Sequence, residues 1–346
     1  MPSRHAGPSA LLAVVAALVL TGLWLNGANP LADPASRPLV VYCAHDAVYS
    51  EEVLREFERQ TGLPLDIRFD TEATKSLGLV QLIERERQQP RCDVFWNNEL
   101  LGTLDLQKQG LLLPYQGDGW QRMPEQFRDA DGHWVGFGAR MRVWIVNTTA
   151  MSADESSVGW ALALEASRVA MAQPMFGTTL THYAVMCDQL GLPTLQELHR
   201  ELRRRGLREV PGNGLVKDLV VAGTCDCGWT DTDDTFLALD AGAPIAMLPI
   251  EVDGKTIVIP NTVAIIRGTQ RETDARRLVD FLASRETELR LARSSARQIP
   301  LGDIGDESLP DDVERLRLRA SHSIDLRPLL PARNAVLEWL RTESAP

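Results

Sequence analysis

Three times between Leu39 and Gly110 the chain repeats one pattern: a short apolar run, a polar corner, then an amphipathic stretch closed by glycine or proline. Leu39–Cys43 breaks into Ala44-His45-Asp46. A helix follows from about Tyr49 to Gln60, with Ser50 as its cap, Val53, Leu54 and Phe57 on one face, and Gly62 and Pro64 ending it. Leu65–Phe69 leads into Asp70–Ser76 and a helix carrying Leu77, Val80, Leu82 and Ile83, which runs to Gln89 before Pro90. Asp93–Trp96 breaks into Asn97-Asn98-Glu99 and a helix through Leu104 and Leu106 that stops at Gly110. Strands and helices alternating over such short corners predict a parallel, doubly wound α/β sheet. Its polar corners then lie along one edge, where open α/β sheets gather ligands.

A second α/β series follows. Val169–Ala172 reads as a strand, Gly177–His182 opens a helix, Leu195–Arg205 is a basic amphipathic helix, and Gly212-Asn213-Gly214 opens another. A strand is expected near Ile245–Leu248, and helices over 274–283, 286–293, 311–319 and 335–340. Two extended runs, near 138–147 and 256–266, join the series, the second interrupted at Pro260-Asn261. With 346 residues there is chain enough for two domains. The expected organisation is a first lobe of 38–140 plus 265–346, completed by the C-terminal helices, and a second lobe of 141–264. Two crossovers between two lobes describe a hinged clamp.

The most charged corner is Cys227–Phe236, C-G-W-T-D-T-D-D-T-F, which sets Asp231, Asp233 and Asp234 among threonines. Val220 and Val221 read as the strand before it, and Phe236, Leu237 and Leu239 as the helix after it. Asp46, Asp70 and Glu72 add carboxylates from the first series. These suit a cation or an ammonium group, while Asp233 and Asp234 also suit a helix's first turn. Opposite in sign are three helix starts rich in hydroxyls or glycine: Thr74-Lys75-Ser76, Gly177-Thr178-Thr179 and Gly212-Asn213-Gly214. Free N–H groups at a helix start favour an anion, and the same residues serve as ordinary caps. Anion donors facing carboxylates suggest either a zwitterion carrying phosphate or phosphonate with an amine, or a metal bound with a small anion. Trp96, Trp229 and Tyr183 are candidates to wall such a cleft, and His45 and His182 are possible metal ligands. His133 belongs with a surface hairpin.

The net charge of -11 argues against a nucleic-acid partner. Arg4 and His5 precede the apolar run Ala10–Leu25, short of the roughly 20 residues of a comfortable membrane span. Residues 1–32 therefore read as a secretory signal, or as an N-terminal anchor if left uncleaved, and the protein as exported, periplasmic or otherwise extracytoplasmic. The first of five cysteines is Cys43, too distant for lipid anchoring. Cys225 and Cys227 would share a strand face, and packing or a disulfide to a distant partner is expected for the cysteines, whose pairing (Cys43, Cys92, Cys187, Cys225, Cys227) spacing does not decide.

A set of motifs in order gives the chain a family likeness. They are V-Y-C-A-H-D from Val41, E-x-x-T-G-L at Glu58–Leu63, C-D-V-F-W-N-N-E at Cys92–Glu99 and G-L-L-L-P-Y at Gly110–Tyr115. R-x-R-V-x-I-V-N at Arg140–Asn147, N-G-L-V-K-D-L-V at Asn213–Val220, W-T-D-T-D-D at Trp229–Asp234 and I-P-N-T-V-A-I-I at Ile259–Ile266 complete it. The chain resembles a bacterial extracellular solute-binding protein of the type II, two-lobed class, and within it the periplasmic ferric-iron-binding group of ABC importers. The resemblance implies a non-enzymatic monomer that captures its cargo between the lobes and delivers it to an inner-membrane ABC permease. Fe(III) with a synergistic anion is the implied cargo, and no cofactor is required. The family's adjacent tyrosine ligands fall on Asp233-Asp234, and its histidine and glutamate near His45/Asp46 and Asn98/Glu99. Carboxylates are hard oxygen donors, so Asp233, Asp234 and Glu99 are the metal candidates. The wider set of candidate ligand-binding residues adds Asn97, Thr178, Thr179, Asn213, Thr230 and Asp231.

Two other functions compete with ferric capture. One is binding of an organophosphonate or phosphorylated solute at the same corners. The other, of a different class, is a metal-dependent phosphoester hydrolase using Asp231, Asp233 and Asp234, although no nucleophile or P-loop pattern accompanies them. A tethered sensor presenting its ligand to a receptor is a third reading of the same clamp.

Overall fold

β1 (Leu39–Cys43) lies between β2 (Leu65–Phe69) and β3 (Val94–Asn97), parallel to both, in a computed structural model that describes residues 37–70, 77–153 and 168–343. Thr74, Lys75, Ser76, Glu72 and the N-terminal apolar run lie outside the described residues. Among the described residues no helix is long and apolar enough to cross a membrane.

The connecting helices are α1 (Ala47–Thr61), α2 (Leu77–Arg85) and α3 (Leu101–Lys108). α1 buries Val53, Leu54 and Phe57 and ends where Gly62 turns left-handed at φ 69° and returns its N–H to Glu58. Glycine enters that conformation without the strain it costs most residues with a Cβ. Ser50 is not the cap. It sits inside the helix, and its hydroxyl donates back to the Asp46 carbonyl at 2.9 Å. α2 ends earlier than expected, at Arg85.

After β4 (Leu112–Leu113) and the short α4 (Asp118–Gln121) comes β5 (Val135–Asn147), thirteen residues long and buried throughout. The extended run expected near 138–147 is this strand, which begins three residues earlier, at Val135. Its first part pairs with β12 (Val258–Ile266) and its last part with β8 (Cys227–Asp231) and β9 (Ile245–Pro249). β5 thus passes from one half of the sheet to the other. The strand order is β2-β1-β3-β12-β5-β8-β6-β7, where β6 is Val169–Ala172 and β7 is Arg208–Val210. β12 shifts register at Pro260/Asn261, where proline supplies no N–H to the ladder. The return path between β9 and β12 carries a hairpin, β10 (Glu251–Val252) and β11 (Lys255–Thr256), turning on Asp253 and Gly254 with positive φ. The two expected crossovers are these two paths.

The second half carries α5 (Gly177–Leu190), α6 (Leu192–Arg204), α7 (Asn213–Val221) and α8 (Thr232–Asp240). Val220 and Val221 belong to α7 rather than to a strand, and Val216 and Val220 sit one turn apart in the core. The strand before α8 is Cys227–Asp231 itself. The C-terminal elements are α9 (Glu272–Leu282), α10 (Arg285–Arg293), α11 (Asp311–Ala320) and α12 (Leu330–Glu343). α9 packs on β12 and β3, whereas α12 lies mainly on α5 and also touches α3. Trp339 of α12 stacks on Tyr183 of α5 at 6.5 Å, and Arg333 reaches Asp105 of α3 at 2.9 Å. The last helix therefore spans both halves instead of completing the first.

All five cysteines are buried and none is in a disulfide, so packing is their role. Cys225 precedes the strand that Cys227 begins, and the two do not form a paired strand face.

Candidate functional site

β5 and β8 meet in register with Arg142 opposite Asp231. In R-M-R the two arginines fall on one strand face, because side chains alternate. Arg142 Nη1 donates to Asp231 Oδ1 at 2.7 Å with neither side chain exposed by more than 2%. Asp231 Oδ2 accepts from Thr178 Oγ1 at 2.7 Å and from Asn213 Nδ2 at 2.8 Å. Asp231 is the residue before α8, yet its carboxylate caps nothing there. It ties the first turns of α5 and α7 to the central strands.

Those two first turns and α8's open onto one cavity of about 310 Å³. Gly177, Thr178 and Thr179 of α5 line it, with Gly212, Asn213 and Gly214 at α7 and Asp231, Asp233 and Asp234 at α8. Gly177 has φ 60°, in the left-handed region that favours glycine, at the first position of α5 where helix N–H groups lack intrahelical partners. From the first half come Asp46, Tyr49 and Asn98, and Arg140 of β5 lies between the two sides. Arg140 Nη2 donates to the Asn98 carbonyl, while its Nη1 stands 3.9 Å from Asp233 and 4.0 Å from Asp231.

The electrostatics are lopsided toward the negative. Burial pushes Asp233 up to about 6, with Arg140 opposing and Asp231 and Asp46 adding to the rise. Asp234, which accepts from Thr230 Oγ1 at 3.0 Å, is raised well above the usual range by burial and then by Asp233 and Asp231. Burial also works against the charge of Arg140, but Asp233, Asp231, Asp46 and Asp234 outweigh it and push its value up. Tyr49 is raised by burial and by Asp233 and Asp234 across the cavity.

The structure brings Asp46, Asn98, Thr178, Thr179, Asn213, Asp231, Asp233 and Asp234 together and leaves others aside. His45 is buried 2.5 Å from Gln298, its ring 5.4 Å from Trp96. Asn97 donates to Thr103 and Glu99 inside the first half. Glu99 accepts from the N–H groups of Leu101 at 2.5 Å and Gly102 at 2.7 Å, and burial raises it. It caps the start of α3, also accepts from Thr181 Oγ1 of α5 at 3.4 Å, and does not line the cavity that holds Asp233 and Asp234. Thr230 stands one hydrogen bond behind Asp234. Trp96, Trp229 and Tyr183 are core residues that do not wall the cleft, and His182 is buried with its pKa driven down by burial and Arg142. Among the described residues, the His/Asp set whose ligand atoms lie within 4.8 Å of one another is Asp129, Asp131 and His133, on a hairpin away from this cavity. Sequence reasoning misses Arg140, Arg142 and Tyr49 as site residues. Two charges in the apolar run Arg140–Asn147 are the available signal.

No curated protein matches the chain by sequence. Solved structures share its fold. Apo ferric ion-binding protein A of Pasteurella haemolytica superposes with a TM-score of 0.77 at 18% identity, covering 89% of this chain and 98% of its own. Iron-bound HitA of Pseudomonas aeruginosa gives 0.72 at 18% identity, covering 86% and 99%. The periplasmic binding protein AfuA of Actinobacillus pleuropneumoniae, with exogenous fructose-6-phosphate bound, gives 0.74 at 18% identity, covering 88% and 98%. The fold is that of the type II periplasmic binding proteins, two doubly wound α/β lobes joined by two crossovers. The family profile of bacterial extracellular solute-binding proteins matches residues 39–294. The chain belongs to the bacterial extracellular solute-binding protein family.

Proposed function

We propose that this protein is the periplasmic receptor of an ABC importer, and that its cargo is a small solute with a phosphate or phosphonate at one end and an amine at the other. The observation that carries the reading is a single cavity into which α5 and α7 open by their N-termini, with Asp46, Asp233 and Asp234 on its remaining sides. The helix N-termini and the Thr178 and Thr179 hydroxyls suit the oxyanion. The carboxylates outnumber Arg140 and suit an ammonium group. In this reading the monomer closes over its solute by hinge motion about β5 and the β9–β12 path, then hands it to a membrane permease.

Ferric iron with a synergistic anion is the second reading. It is favoured by the ferric-binding proteins among the similar structures and by the hard donors Asp233 and Asp234 standing where the family resemblance puts phenolates. Against it, Asp231 is committed to Arg142, Thr178 and Asn213, and Glu99 to the α3 cap. Titration calorimetry with 2-aminoethylphosphonate, phosphoethanolamine, inorganic phosphate, and Fe(III) with and without phosphate or carbonate separates the two. The expected result is binding of the amino compounds at least tenfold tighter than inorganic phosphate. Tight ferric binding with no response to either amino compound would overturn it.

A further inference from the structure

We infer that Arg140 is the latch between the two lobes, holding the first by its contact with Asn98 and the second by its charge on Asp231 and Asp233. Three observations support this. Arg140 stands on β5, the strand shared by both halves, beside the register shift of β12 at Pro260/Asn261. Its Nη2 donates to the Asn98 carbonyl at the corner after β3, which belongs to the first half. Its Nη1 stands 4.0 Å from Asp231 and 3.9 Å from Asp233 at the corner after β8, which belongs to the second.

The remaining donors say how the latch responds to cargo. Arg140 is 3% exposed, lines the cavity, and its Nε has no hydrogen-bond partner. The distances from Nη1 to the two carboxylates exceed hydrogen-bond range. A buried guanidinium therefore bridges the cleft with its strongest geometry, the planar fork, largely unused. An oxyanion entering the cavity completes that fork, and the approach to Asp231 and Asp233 survives only while the lobes are close. Capture and closure are thus read by one side chain. A lysine keeps the charge but offers one nitrogen, which cannot span Asn98 and the carboxylates together.

The inference rests on the cavity being the ligand site, but not on the identity of the cargo. It is tested by pulsed electron resonance between spin labels at Glu51→Cys, on α1, and Asp218→Cys, on α7. Both positions are exposed, whereas the native cysteines are buried. Distances are compared in otherwise wild-type, Arg140→Lys and Arg140→Gln backgrounds, without ligand and with saturating 2-aminoethylphosphonate. The latch predicts longer and broader distances for both variants without ligand, and at least tenfold faster ligand release from Arg140→Lys. A role confined to neutralising Asp231 and Asp233 predicts wild-type distances in Arg140→Lys, and that result would overturn the inference. Should wild-type protein ignore aminophosphonates, the cargo reading fails, while the ligand-free distances still decide the latch.

Discussion

Asp231 and Arg142 form a buried ion pair at 2.7 Å, with neither side chain more than 2% exposed. The pair sits directly across two strands, and the Thr178 hydroxyl and Asn213 amide close over the free carboxylate oxygen. Removing one partner of such a pair leaves a stranded buried charge, at about 3–5 kcal/mol. Asp231→Ala is expected to lose that much in urea unfolding. Asp231→Asn, which keeps the acceptor for Thr178, should lose less than half of it. Ligand affinity should fall in both, since the starts of α5 and α7 lose their common anchor.

Asp233 makes stability depend on pH in a direction opposite to most aspartates. Its folded value is raised to about 6, so the proton it holds stabilises the fold below the ordinary aspartate range. That contribution disappears as pH rises through about 6. Asp233→Asn is expected to be more stable than wild type by about 1–3 kcal/mol at pH 7.5, since each tenfold change in proton affinity between folded and unfolded chain is worth about 1.4 kcal/mol. The difference should vanish near pH 4. Thermal melts of both proteins across pH 4–8 check this. A cationic ligand group, by contrast, should bind more weakly below pH 6 in wild type.

Gly177 has open space around the position of a Cβ but a φ of 60°. Gly177→Ala therefore introduces backbone strain without a clash, worth roughly 1–2 kcal/mol. The expected outcome is a modest loss of stability by urea titration. A larger loss in phosphate or aminophosphonate affinity should accompany it, because relaxing that φ re-aims the N–H groups of Thr178 and Thr179.

The five cysteines should behave as core residues. Burial raises Cys92, Cys187, Cys225 and Cys227 as thiols, which removes the reactive thiolate. Ellman's reagent is expected to find almost none in native protein and all five after denaturation, identically with and without prior reduction.

Repeating strand–helix units were legible because their signals are local: Leu39–Cys43, Leu65–Phe69 and Val169–Ala172 appear where alternation and glycine stops put them. The acidic corner was legible as a strand-to-helix corner, but its strand was misplaced by one element. Val220–Val221 and Cys227–Asp231 are both apolar enough for the role, and only packing of α7 on β6 and β8 distinguishes them. The site was half legible. Threonines and glycines at helix starts declare themselves in sequence. Whether Glu99 faces a cavity or its own helix does not, because that choice depends on how Leu101 and Gly102 are oriented. Arg140 and Arg142 stayed hidden inside a hydrophobic strand, since their partners Asn98, Asp231 and Asp233 lie far away along the chain.

β12 occupies the place between β3 and β5 in the strand order. The first three strands are made from residues 39–97, yet the strand that joins them to the rest is made from 258–266. A chain emerging from the ribosome can assemble neither half into the finished sheet until about three quarters of it has been synthesised. Long-range pairing of this kind is slow to form. The order of its strands therefore keeps the two parts of the sheet unjoined until late in synthesis.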